Sequence, residues 1–86
     1  MPIVSVFFGI VIRLYHADHN PPHFHAIYGD FEAIVELKTG KILKGQMPAR
    51  GKNLIEEWRK KHLKELNEAW LAVSQLKMPK KIKGLE

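Results

Sequence analysis

Four of the five histidines in this 86-residue chain fall within ten residues, in the stretch HADHNPPHFH at positions 16–25. Were His23 and His25 to lie on a strand, they would share one face with Phe24 turned the other way. Their Cα atoms would then stand about 6.5 Å apart, and two imidazoles could converge on one ion. His19, two residues before Pro21, could fold back over that face, and Asp18 adds an oxygen. The set His19, His23 and His25 suits Zn²⁺ or another divalent metal, which takes neutral imidazole nitrogens and would keep a position open for water, as in hydrolases. The spacing H-x₃-H-x-H on a turn and strand is not the helical register of HExxH. A metal-free reading is equally open: imidazoles exchange protons near neutral pH and could serve as acid and base in cleaving RNA, whose 2′-hydroxyl is the nucleophile. A third reading has the histidines and Asn20 satisfy backbone groups in a turn around Pro21-Pro22.

Nothing else in the chain makes a strong catalytic motif. There is no Ser-His-Asp order, no glycine-rich phosphate loop and no paired-carboxylate spacing. Glu56 and Glu57 are adjacent on a helix, so they point in different directions and are expected to be solvated. Gly51 in PARGKN is a single glycine and no Walker motif, although Arg50 and Lys52 near a helix start could hold an anion. Arg13 could hold a phosphate, and Tyr15 and Tyr28 carry hydroxyls that could meet a phosphate or water.

These residues need elements to position them. Val6–Tyr15 is rich in β-branched and aromatic residues and alternates at period two, with Gly9 marking a bend or bulge between two strand pieces. Asp18 to Pro22 is a turn, since prolines fix φ and hold the residue before them out of helix. His23–Tyr28, Phe31–Leu37 and Lys41–Leu43 read as further strands joined at Gly29-Asp30 and Thr39-Gly40. After Pro48 the period changes. From Leu54 to Leu76 there is no Gly or Pro, and Leu54, Ile55, Trp58, Leu66, Ala69, Trp70 and Val73 share one side of a helix. One helix of that length is long for so small a domain, so a break or bend is expected near His62. His62 itself falls in the apolar arc between Trp58 and Leu66, facing a sheet that carries the other histidines. Trp58 and Trp70 read as core anchors before they read as nucleobase platforms. The fold class is α+β: a small antiparallel sheet of three to four strands, followed by one long or two shorter helices packed on one face. Residues 1–86 form a single domain, with a strand-rich half to 46, a helical half from 47 to 76 and a basic tail from 77 to 86. That tail, reached through LKMPKKIKGLE, is either a mobile basic arm or a last edge segment added to the sheet.

Composition narrows the classes further. Apolar residues make up 45% and charged residues 27%, as in a folded soluble protein, and there is no cysteine to form a disulfide or act as nucleophile. The N-terminal apolar run lacks a basic start and a cleavage-like site, and at roughly a dozen residues it falls short of the ~20 that span a bilayer as helix. A cytoplasmic, non-membrane protein is expected. The net charge of +5 is uneven: residues 1–37 hold one Arg against four acids (−3), and residues 38–86 hold thirteen Lys and Arg against five acids (+8). Such asymmetry points to an acidic partner, nucleic acid or protein.

The stretch FFGIVIRLYHADHNPPHFHAIYGDFEA resembles an uncharacterised bacterial family, domain of unknown function 4160. The resemblance covers most of the chain and rests on the FFGI start, DHNPPHFHAIYG at 18–29, the helix pattern Glu57, Trp58, His62, Glu65, Leu66, Trp70, and a lysine-bearing end. His16 stands outside the motif, which starts at Asp18, and the closing GLE departs from the family's Pro-Leu ending. The resemblance implies a small cytoplasmic protein often encoded beside a second small family, domain of unknown function 2442, in a layout like toxin–antitoxin pairs. It carries Asp18, His19, His23, His25 and Tyr28 over as motif residues. Two functions follow as expectations. In one, the chain is a binding module whose basic half, including Lys80 and Lys81, docks to a partner protein or nucleic acid while the histidine turn shapes the interface. In the other it is a toxin-like ribonuclease in which His19, His23 and His25 handle protons or a metal while Arg13, Arg50 and Lys52 hold the phosphate.

Overall fold

A computed structural model describes residues 2–15 and 20–85. Among the described residues five strands come first, β1 (Ile3–Phe7), β2 (Ile10–Arg13), β3 (His23–Tyr28), β4 (Phe31–Glu36) and β5 (Ile42–Gly45), and two helices follow, α1 (Ala49–Lys61) and α2 (Leu63–Ser74). The strands pair antiparallel in sequence order, β1-β2-β3-β4-β5. The α+β class is as expected, but the sheet has five strands rather than three to four. The difference begins at Phe8-Gly9, which is a hairpin turn rather than a bend. Both residues have positive φ, 49° and 80°, and Phe7 pairs with Ile10 across them. That is the signature of the tight turn whose twist matches paired strands. A bulky residue seldom adopts positive φ, so Phe-Gly does not announce itself as Asn-Gly does.

Register sorts the side chains into two faces. Phe24 pairs with Val35 and Ala26 with Ala33, while Ile12 pairs with Ala26; all of these are buried, and they meet the apolar side of the helices. Trp58 is fully buried, with its ring 5.3 Å from Phe7 and 5.8 Å from Phe24 between centroids. Gly51 lets α1 close onto the sheet: a Cβ there would lie 2.7 Å from Met47 Sδ and 2.9 Å from Tyr28 Cδ2.

The helical half breaks where expected. His62, at φ −119° and ψ 28°, leaves the helical conformation between α1 and α2. Its Nδ1–H donates to Glu65 Oε2 at 2.6 Å. Glu65 is the third residue of the new helix, where a carboxylate favours the exposed amides of the first turn. The hydrogen bond from His62 holds the Glu65 carboxyl below its ordinary pKa.

The tail is an edge segment rather than a mobile arm. Ile82 is buried, its N–H donates to Val4 O at 2.7 Å, and Trp58 Nε1–H donates to Lys83 O at 2.8 Å. Among the described residues no helix is long and apolar enough to cross a membrane.

Candidate functional site

The face of the sheet turned away from the helices carries the histidine pair. Arg13 and His25 are direct partners across β2 and β3, and Ile34 of β4 faces His25 from the other side. The His23 and His25 rings lie 5.5 Å apart between centroids, so the same-face convergence expected of H-x-H is present. Tyr15 meets His25 edge-on at 4.3 Å. His23 stands at the end of the sheet and also touches Trp70 of α2, 5.3 Å away. A cavity of about 410 Å³ opens between Tyr15, Pro21, His23, His25, Ile34 and Leu43.

Local chemistry fixes how these groups are held. His23 is buried, and its Nδ1–H donates to Pro21 O at 2.7 Å. With the proton on Nδ1, the neutral ring carries its lone pair on Nε2. His25 Nδ1 lies 3.6 Å from Glu32 Oε2. Arg13 Nε is shielded from solvent and has no hydrogen-bond partner among the described residues.

His23 and His25 could supply two nitrogens to a metal. The expected third ligand, His19, lies outside the described residues, as do Asp18 and His16. Among the described residues no group of three or more His, Asp or Glu is placed to hold a metal ion.

The other candidates are spread around the molecule. Tyr28 pairs with Ile10 and Phe31 on the helix-facing side of the sheet, beside Gly51, so it does not join the histidines. Arg50 and Lys52 are exposed in the first turn of α1, and Lys80 and Lys81 are exposed on the tail, beside a cavity that Glu65 and Glu68 also line. His62 does not meet the pair either. Its ring contacts Trp58 at 6.0 Å, and its Nε2 is buried without a hydrogen-bond partner among the described residues.

Two residues carry more than the sequence showed. Arg59 is buried, donating to Leu37 O at 3.0 Å and Lys38 O at 3.1 Å, and it grips both Glu56 oxygens at 2.7 Å. Glu56 is therefore bound rather than simply solvated, while Glu57 is exposed as expected. Tyr15 packs onto His25, a contact the Arg13–His25 pairing would have brought within reach had the register been known.

A family model described as Domain of unknown function (DUF4160) matches residues 9–71. The match takes in most of the 86 residues, from the first hairpin to the last turns of α2, and the chain belongs to that family. No curated protein and no solved structure matches it.

Proposed function

We propose that this family member is a small basic binding module of a toxin–antitoxin-type gene pair, taking a partner protein of the domain of unknown function 2442 type on the uncovered face of its sheet. The observation that carries this reading is the apolar character of that face. Val6 is 60% and Leu43 42% exposed, and Val11, Ile27 and Ile34 lie partly buried between them around Arg13 and His25. Glu32 stands across from Ile27 and Lys44 across from Ile34 on the same face, and exposed apolar side chains interspersed with such charged groups are what a protein interface presents. The exposed lysines of the helices and tail add attraction to an acidic partner, which raises the association rate more than it lengthens the complex's life.

Calorimetric titration of the full chain with the protein encoded beside it tests the reading. Wild type is expected to bind, and Ile27→Glu, which sets a charge in the middle of the face, to weaken binding by tenfold or more, about 1.4 kcal/mol per tenfold. Lys80→Glu with Lys81→Glu is expected to slow association at low salt and change dissociation little. No heat from wild type, or an Ile27→Glu that binds like wild type, would end this assignment of the face.

The histidine end supports a second reading, a toxin-like ribonuclease, on one observation: the Pro21 carbonyl accepts from His23 Nδ1–H, the His25 ring lies 5.5 Å away, and Arg13 pairs with His25 across the strands. A poised imidazole pair with a guanidinium for the phosphate is suited to proton transfer at a phosphodiester. The expected result is slow cleavage of a uridine-rich oligonucleotide, abolished by His25→Ala with the far-UV circular dichroism unchanged. Nucleic acid bound by the basic half would show affinity falling steeply with salt, as neutralised phosphates release counterions. Cleavage that survives His25→Ala, or none from wild type, would remove the enzymatic reading.

A further inference from the structure

We propose that the outer edge of β5 is a docking groove for an extended acidic segment of another protein, which joins the sheet as a sixth strand. The inference rests on the reading of the chain as a binding module and names the chemistry that one part of it recognises.

The two edges of the sheet are treated differently. Along β1 the chain lays its own tail, through the Ile82 N–H to Val4 O bond of 2.7 Å and the burial of Ile82. At the other end of the strand order stands β5, with Leu43, Lys44 and Gly45 exposed. An edge strand offers backbone donors and acceptors to any chain that lies beside it.

Beside that edge, on the helix side, runs an apolar trough. A cavity of about 390 Å³ is floored by Val35, Ile42, Met47 and Ile55 and rimmed by Gly40, Lys52, Asn53 and Glu56. A second of about 410 Å³ continues it, sharing Ile42, Met47 and Lys52. A strand added to β5 would send alternate side chains to the helix side of the sheet, over this trough. The groove therefore combines a backbone edge, which gives affinity, with two adjoining pockets on the helix side, which select side chains.

Charge selects the partner. Residues 37–55 contain Lys38, Lys41, Lys44, Arg50 and Lys52 and no acid, and all five cations are exposed. Glu56 does line the trough, but both of its oxygens are taken by Arg59 and Lys60 stands 3.7 Å away, so its charge is matched. Lysines on an edge guard it against a like edge, since a second copy would set cation against cation. The same lysines favour a segment carrying Asp or Glu on its outward side. The occupant is thus an acidic, apolar-alternating strand of another protein rather than a second copy of this chain.

The test is fluorescence anisotropy of a short labelled peptide of alternating valine and glutamate, titrated with the full chain. The peptide is expected to bind, and the combined change Lys41→Glu and Lys44→Glu to weaken it roughly tenfold or more, since it removes charge complementarity without touching the core. A peptide N-methylated at alternate backbone nitrogens keeps its charge but cannot pair, and is expected not to bind. Equal binding of the N-methylated peptide, or its displacement by oligothymidylate at comparable concentration, would show attraction to charge alone and overturn the proposal. Failure of the peptide to bind while the neighbouring gene's protein still binds in an Ile27-sensitive way would overturn the groove and leave the module reading standing. Silence from that protein, with the peptide binding normally, would do the reverse.

Discussion

Replacing Trp58 with alanine is expected to remove about 3–5 kcal/mol of folding free energy, the usual loss when a fully buried tryptophan leaves a cavity. Small domains hold roughly 5–15 kcal/mol in total, and one of this length buries a smaller share of its surface than a larger protein does. The variant should therefore lose a large share of its stability. The reason is placement. Trp58 fills the space between β1, β3 and the tail, stacking on Phe7, meeting Phe24 edge-on and bonding to Lys83 O. Urea denaturation followed by far-UV circular dichroism reads the loss, and a midpoint near that of wild type would remove Trp58 from the centre of the core. Trp58→Phe is the milder change: one aromatic ring remains against Phe7 and Phe24, the hydrogen bond and part of the packing are lost, and about 1–3 kcal/mol should go. Cleavage by trypsin at Lys83 should quicken with it.

Arg59→Met should cost about 2–3 kcal/mol, the scale of charge-assisted hydrogen bonds discounted for a partner that water reaches. The substitution keeps the buried aliphatic stem but strips the donors from Leu37 O and Lys38 O and releases Glu56. Those two carbonyls precede the turn into β5, so the β4–β5 connection should loosen first, visible as faster amide exchange at Gly40 and Lys41. A pH signature accompanies it. The hydrogen bond from Arg59 is the leading cause that holds the Glu56 carboxyl below its ordinary pKa, and Arg59 in turn is raised and stays charged throughout. A carboxyl depressed in the folded state stabilises fully above its unfolded pKa, about 4.5 here, and the gain is lost as pH falls through the folded value. Wild type should lose stability over that acid range more steeply than Arg59→Met; parallel curves would show that the ion pair contributes nothing.

The sheet and helices were largely legible because their signals are local. Period-two alternation marks strand in Val6–Tyr15 and Phe31–Leu37, and the change of period after Pro48 marks the helical half. Phe8-Gly9 misled because turn chemistry is read from residue types, and Phe is a poor match for the positive φ it adopts. The break at His62 was expected from length alone, since no Gly or Pro announces it; its partner Glu65 shows only when the fold brings the two groups together. Tyr28 illustrates the limit of motif reading. It lies in the same motif as His23 and His25, yet strand alternation puts it on the opposite face from His25, under α1. Arg59 was missed because a cation in a basic helix resembles its neighbours until tertiary contacts bury it among carbonyls from a loop 21 and 22 residues earlier. The tail's docking depends likewise on β1 and Trp58, which no local pattern in LKMPKKIKGLE could reveal.

The histidine cluster takes its meaning from the same geometry. His23 is tied to Pro21 and packed against Trp70, and His25 sits under Tyr15 and beside Glu32. Tyr15 and Glu32 hold His25 from the uncovered face while Pro21 and Trp70 hold His23 at its end, so the proposed interface and the proposed proton transfer draw on one arrangement.

The most direct measurement is an amide and methyl NMR footprint of the labelled chain as the proposed partner, a protein of the domain of unknown function 2442 type, is added. The account predicts changes at Val6, Val11, Ile27, Ile34 and Leu43, spreading to the β5 edge, with Leu66, Ala69 and Val73 of the helical core unmoved. Changes confined to the solvent side of α1, α2 and the tail, with the sheet face silent, would contradict it.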